Sequence, residues 1–206
     1  PKGLYQNGLQ RDRFLPAIAL LEEHTETVHI GGDTDYRLRT LEHAGTYHIG
    51  QGELTDGKLK KEFHSLTGVE RHQGDSTLTI NGRQLPVVMW DDGIAWFTFK
   101  ALCESPRSTN DYIQIGEYFH TVMVSDVPVM GTFHDDAARR FVNLIDEFYD
   151  RSVNLVVSAA AEPEALYEGQ RLAFEFERTA SRLREMQSHE YMAQEHLHDE
   201  TEHKRQ

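Results

Sequence analysis

A single cysteine, Cys103, in 206 residues rules out an internal disulfide and a cysteine metal cluster, which suits a reducing compartment. Long apolar runs are missing too. Nothing approaches the roughly 18 consecutive apolar residues of a membrane helix, and Pro1-Lys2-Gly3-Leu4-Tyr5 lacks the charge and apolar stretch of a signal peptide. Basic residues are scarce: 21 Lys plus Arg against 34 Asp plus Glu give a formal charge of -13, which disfavours a binder of duplex nucleic acid. Acid-rich surfaces also serve solubility, so this balance excludes more than it identifies. What is present, 38% hydrophobic and 27% charged residues, is enough for one large or two small domains with buried cores. The first residue is not Met and a helical pattern begins almost at once, so the sequence is read as a piece of a longer protein.

Phe14, Leu15, Ile18 and Leu21 recur at helical spacing, which predicts a helix over Arg11 to Glu23, and Thr27 to Ile30 reads as a strand closed by Gly31-Gly32. A helix followed by a strand is an α/β signature. A glycine-rich connector runs from Gly45 to Gly57, and Asp56 can cap a helix with Leu59, Phe63 and Leu66 on one face. Thr77 to Ile80, the turn Asn81-Gly82, Gln84 to Trp90 and Ile94 to Phe99 predict a three-strand meander, with Pro86 at an edge. Downstream, Ser108 with Asp111 predicts a capped helix start, Thr121 to Val124 a strand, and Phe141, Leu144, Ile145 and Phe148 a helix stripe. Val153 to Val157 reads as a buried strand, Pro163 to Tyr167 as a short helix, and Arg178 to about His196 as one long final helix.

Several motifs come close to chemistry. Gly52-Glu53-Leu54-Thr55-Asp56-Gly57-Lys58 matches the first seven positions of a Walker A loop, but Leu59 stands where a Ser or Thr would ligate magnesium. Glu53 and Asp56 would also set two carboxylates beside a polyphosphate, so an acidic turn before a helix is the favoured reading. Asn143-Leu144-Ile145-Asp146-Glu147 has the look of a Walker B end, yet its apolar residues are helix-spaced, which places Asp146 and Glu147 on a helix face. Asp126, ending a strand-like run, is better placed for such a role. The histidines, His196, His198 and His203 among them, show no metalloprotease spacing, and Cys103 reads as a small buried hydrophobe. Arg11 and Arg13 sit at the start of a helix, and Arg178 with Arg182 lies one turn apart on another. A guanidinium at a helix end can reach a γ-phosphate in a neighbouring subunit; a surface ion pair is the plainer alternative.

The stretch Leu4-Tyr5-Gln6-Asn7-Gly8-Leu9-Gln10-Arg11-Asp12-Arg13-Phe14-Leu15-Pro16-Ala17-Ile18 resembles the ZapE cell-division ATPase family, bacterial relatives of a mitochondrial AAA-type ATPase. Asp35-Tyr36-Arg37, Phe99 to Cys103, Asp111-Tyr112, Ala138 to Phe141, Asp146 to Asp150, and Phe176 through Arg182 to Ser188 agree with it. The resemblance covers nearly the whole chain except the tail. It implies the carboxyl-terminal half of a P-loop protein whose Walker A loop, Walker B acids and sensor residue precede Pro1. The fold implied is α/β: the end of an AAA-type core over residues 1–44, an α/β domain with a small β-meander over 45–195, and a polar tail over 196–206. Arg11 becomes the candidate arginine finger, acting in trans, with Arg13 as the alternative, and Arg178 and Arg182 become weak sensor-like candidates.

For the parent protein the resemblance implies ATP hydrolysis with magnesium, action on the FtsZ ring, a homo-oligomer and a cytoplasmic location. The chain itself is expected to hold no ATP, cofactor or metal, to be inactive alone, to bind no nucleic acid and to contain no integral membrane segment. The competing reading is a non-catalytic interaction module, in which the meander offers a strand edge together with Trp90, Trp96, Phe97 and Phe99.

Overall fold

Alternation along three strands decides the layers of this protein. The computed structural model describes residues 11–24, 36–68, 77–91 and 93–197. The chain divides into two compact units, Pro1–Asp35 and Tyr36–Gln206. In the first, α1 (Arg11–His24) forms where the spacing predicts a helix, with Pro16 giving up one ladder bond near its start. The strand expected at Thr27 to Ile30 lies outside the described residues.

The second unit is built on a five-stranded sheet. Its strands are β1 (Tyr47–Ile49), β4 (Met89–Asp91), β5 (Ile94–Thr98), β6 (Thr121–Val127) and β7 (Asn154–Ala159), in the order β1-β7-β6-β5-β4. All neighbours are parallel except β4 with β5. Ala95, Phe97, Val122, Val124, Leu155 and Val157 point into one buried cluster; Ile94, Trp96, Met123 and Val156 point into the other. With both faces covered, strand side chains are apolar on both sides, as a parallel sheet requires.

On the first face lie α4 (Thr109–Tyr118), α5 (Asp135–Asp150) and α6 (Ala173–Glu185), contributing Tyr112, Ile115, Phe141, Leu144, Phe148 and Phe176. On the second lie α2 (Tyr36–Ala44) and α3 (Glu53–Thr67), which bury Leu41, Leu59 and Phe63. The result is a three-layer α/β/α sandwich. Truncating Leu59 or Phe63, both fully buried, removes core volume worth about 2–5 kcal/mol. Among the described residues no helix is long and apolar enough to cross a membrane.

Two stretches differ from the sequence reading. The meander divides between two sheets: β2 (Thr77–Ile80) and β3 (Arg83–Pro86) form their own pair, while β4 joins β5 in the main sheet. The expected Asn81-Gly82 turn does close β2 on β3, with both residues at positive φ (47° and 72°) and Ile80 opposite Arg83. Pro86 ends β3, and Val87, next in the chain, turns into the core. The final helix is broken. α6 stops at Glu185, and the Ser188 hydroxyl accepts the Tyr191 amide at 3.2 Å to start a separate turn, α7 (His189–Met192). His196 follows it, its Nε2 at 2.6 Å from the Gly116 carbonyl.

Candidate functional site

In an open α/β sheet, ligands settle at the carboxyl ends of the strands. There β1 leads through Gly50 and Gly52, at φ 142° and 78°, directly into α3. A Cβ on Gly50 would stand 2.7 Å from the Thr55 hydroxyl oxygen, so glycine is required for the turn to close on its own helix. The Gly52 amide, at the mouth of α3, donates to Asp126 Oδ1 at 3.1 Å. Asp126 occupies a left-handed conformation, φ 62°, at a register shift in β6, and its own amide donates to the Ser158 hydroxyl on β7 at 3.0 Å. Aspartate tolerates that conformation better than most residues, and the bulge re-aims its carboxylate at α3.

Beside this contact opens a cleft of about 470 Å³, bounded by Glu53, Asp56 and Lys60 of α3, by Trp96 and Thr98 of β5, and by Asp126. Asp56 Oδ1 and Trp96 Nε1 are buried and have no hydrogen-bond partner among the described residues. Burial, then the neighbouring Asp126 and Glu53, push the Asp56 carboxyl above its ordinary value.

The cleft therefore has the path of a phosphate loop, strand to glycine turn to helix, without the chemistry of one. The amide that would meet phosphate is held by a carboxylate, three acids line the mouth, and Leu59, at the position of the magnesium-binding hydroxyl, is fully buried in the core. ATP with magnesium does not fit these residues. Among the described residues no group of three or more acids, histidines or cysteines is placed to hold a metal ion.

The arginines predicted from sequence fall elsewhere. Arg11 and Arg13 lie in the first turn of α1, and their side chains are outside the described ones. On α6, Arg178 donates to Asp146 of α5 at 2.6 Å, and Arg182 donates to the other oxygen of Asp146 and to Asp150 at 3.4 Å. Arg182 is also stacked 4.7 Å over the Tyr149 ring. Two arginines one turn apart thus meet two acids one turn apart, and α6 is fastened to α5. Asp146 and Glu147 sit on a helix, as the spacing predicts, and Glu147 faces Arg151 at 3.9 Å.

Other predicted features are interior. Trp96, Phe97 and Phe99 are almost wholly buried, which corrects their reading as a partner-facing aromatic surface; Trp90 is half-buried. Sequence alternation in β5 runs between two cores rather than between core and solvent. Cys103 is fully buried in a π-turn (Lys100–Glu104), its thiol pushed up by burial, and its carbonyl accepts from Arg140 Nε. The sequence reading missed the Gly52–Asp126 contact, although it singled out both the glycine turn and the well-placed acid.

A mostly parallel, helix-covered sheet with a glycine turn at the carboxyl end of a strand places this unit among proteins with a P-loop-NTPase-like α/β fold. The chain belongs to the AFG1-like ATPase family, whose model matches residues 1–195. It is similar to the cell division protein ZapE of Escherichia coli strain K12, with 45% identity over 96% of this chain and 52% of that protein. It is also similar to lactation elevated protein 1 homolog B of Danio rerio, 31% identical over 93% of this chain and 45% of that protein. The chain thus spans about half the length of these relatives. No solved structure matches it.

Proposed function

We propose that this chain is the carboxyl-terminal half of an ATP-hydrolysing cell-division protein. The observation that carries the reading is the 45% identity to ZapE along 96% of the chain, set against a cleft whose acids reject phosphate. On this reading the Walker A and B elements belong to the preceding half of the parent protein, which binds ATP and magnesium, and the parent works as a cytoplasmic homo-oligomer on the FtsZ ring. Residues 1–35 finish the nucleotide-binding core; α2, whose Leu41 is buried against the sheet, belongs with the α/β domain, which moves the boundary expected after residue 44 to residue 35, and residues 196–206 form a polar tail.

Arg11 acts as the arginine finger, reaching a neighbouring subunit's γ-phosphate and stabilising charge in the transition state, with Arg13 as the alternative. Arg178 and Arg182, tied to Asp146, act as positioning residues for α6 rather than as phosphate ligands. In the full-length protein, Arg11→Ala is expected to lower ATP turnover by about 10³-fold or more while sparing nucleotide binding. Steady-state turnover beside equilibrium binding of a fluorescent ATP analogue reads this out. Unchanged turnover in both Arg11→Ala and Arg13→Ala would remove the finger from this chain.

A further inference from the structure

Leu41 of α2 and Leu59 and Phe63 of α3 share one buried cluster, which fixes the two helices beside each other. The residues two positions from those anchors turn outward along the seam: Arg39 and His43 on either side of Leu41, Lys61 and Ser65 on either side of Phe63, all four exposed. With Glu62 they line an open groove of about 570 Å³. In a chain of 34 acids and 21 Lys plus Arg, most cations find a partner, and Arg83, Arg139, Arg151, Arg178, Arg182 and Arg184 each reach a carboxylate. Among the described residues Arg39 and Lys61 reach none. The acids closest to them in sequence are already taken: Glu62, 13% exposed, is held by His48 Nε2 at 3.0 Å, and Glu42 is paired with His189 at the start of α7. Two histidines thus draw off the carboxylates that would have quenched the seam, and a patch of positive charge stands open on a chain whose formal charge is -13.

The geometry selects among anions. The groove is lined from the later turns of both helices, where the backbone presents carbonyl ends rather than the amides that cradle phosphate. Positive charge comes from side chains alone. Axes of packed helices run about 8–10 Å apart, so Arg39 and Lys61 rise from separate walls and suit two separate anions better than one compact phosphate. Carboxylates two residues apart on an extended segment point the same way and stand about 7 Å from each other, a spacing that lets each wall take one. Guanidinium binds carboxylate through paired N–H groups, and ammonium binds it as a point charge. The Ser65 hydroxyl adds a donor between them, while Ala44 and the aliphatic stems of Arg39 and Lys61 give the segment apolar surface to lie on.

We propose that the groove between α2 and α3 binds an acidic peptide segment of a partner protein, Arg39 and Lys61 each taking one carboxylate. The inference does not depend on the ATPase reading. The test is fluorescence anisotropy of a labelled, capped pentapeptide, Glu-Ser-Glu-Ser-Glu, titrated with the 206-residue chain at low ionic strength. The expected result is a saturable rise that weakens as salt is added and is absent with Gln-Ser-Gln-Ser-Gln. Arg39→Ala and Lys61→Ala should each weaken binding several-fold and the double variant about tenfold or more, as exposed ion pairs at independent sites do. Both side chains are exposed, so their removal leaves the packing of Leu41 and Phe63 in place. Arg39→Glu is set beside Arg171→Glu, which makes the same change of net charge at an exposed arginine outside the groove and should bind as the unaltered chain does. The proposal is overturned by the absence of a saturable rise, by equal binding of the glutamine peptide, by equal weakening in Arg39→Glu and Arg171→Glu, or by inorganic phosphate displacing the peptide better than chloride at matched ionic strength.

Discussion

Asp111 shows how one residue can serve as cap, charge partner and core group together. Its side chain is fully buried, accepts the Ser108 amide at 2.8 Å and the Asn81 side-chain amide at 3.2 Å, and pairs with Arg83. Burial alone pushes its carboxyl up, but the Ser108 amide, Arg83 and Asn81 outweigh it and hold the value below the usual carboxylate range. A carboxyl depressed in the folded state stabilises the protein above the unfolded value, about 3.9, and loses that contribution as pH falls through the folded value. Asp111→Asn is therefore expected to cost on the order of 2 kcal/mol at pH 7 and distinctly less at pH 3, measured by denaturant midpoints. A gap that stays constant between those pH values would show that packing, not charge, makes the difference. The Ser108 to Asp111 capping box was legible in sequence because its partners lie three residues apart. The bond from Gly52 to Asp126 was not, because 74 positions separate them and no local pattern reports such a distance.

At the scale of elements, the helices with a clean apolar stripe were the readable ones. Phe141, Leu144, Ile145 and Phe148 all prove fully buried on α5, and the Asn81-Gly82 turn closes its hairpin as expected. The break between α6 and α7 escaped notice because helical spacing continues across it, while Ser188 offers the backbone a competing cap. The division of the meander escaped for a related reason: strand period says which residues face a core, not which neighbour a strand will pair with. The junction of α5 with α6 yields a graded expectation. Arg182, 21% exposed and stacked on Tyr149, is expected to cost about 1–2 kcal/mol when changed to Ala, whereas Arg178, 55% exposed, should cost less than about 1 kcal/mol. Thermal or chemical unfolding of the two variants and their double mutant checks both values and their coupling through Asp146. Equal losses would mean that the shared carboxylate, rather than burial and stacking, sets the energy.

At the scale of the whole molecule, a net charge of -13 and an acid-lined cleft both act against polyphosphate ligands. A titration of the 206-residue chain with a fluorescent ATP analogue and magnesium is accordingly expected to show no saturable binding, and Lys58→Ala should leave that result unchanged. Tight binding abolished by Lys58→Ala would instead make the Gly52 to Lys58 turn a phosphate site. The sequence made the fold class legible because helices and strands alternate along most of the chain. It could not report the strand order, in which the earliest strand of the sheet lies next to the latest.

That strand order has a consequence during translation. The hydroxyl of Tyr47 in β1 donates to the carbonyl of Ala161, 114 positions later, and β7 is the strand with which β1 pairs. At about 5–20 residues synthesised per second, β1 waits roughly 5–20 s for its partner to leave the ribosome. Until β5 and β6 emerge, Leu59 and Phe63 lack the strand residues Ile94, Trp96 and Met123 that cover them, and the nascent chain displays them as a binding surface for whatever guards unfinished proteins. The glycine turn of the cleft emerges first and its aspartate later, so the two halves of the site are born into different stages of folding and meet only after the sheet between them is complete.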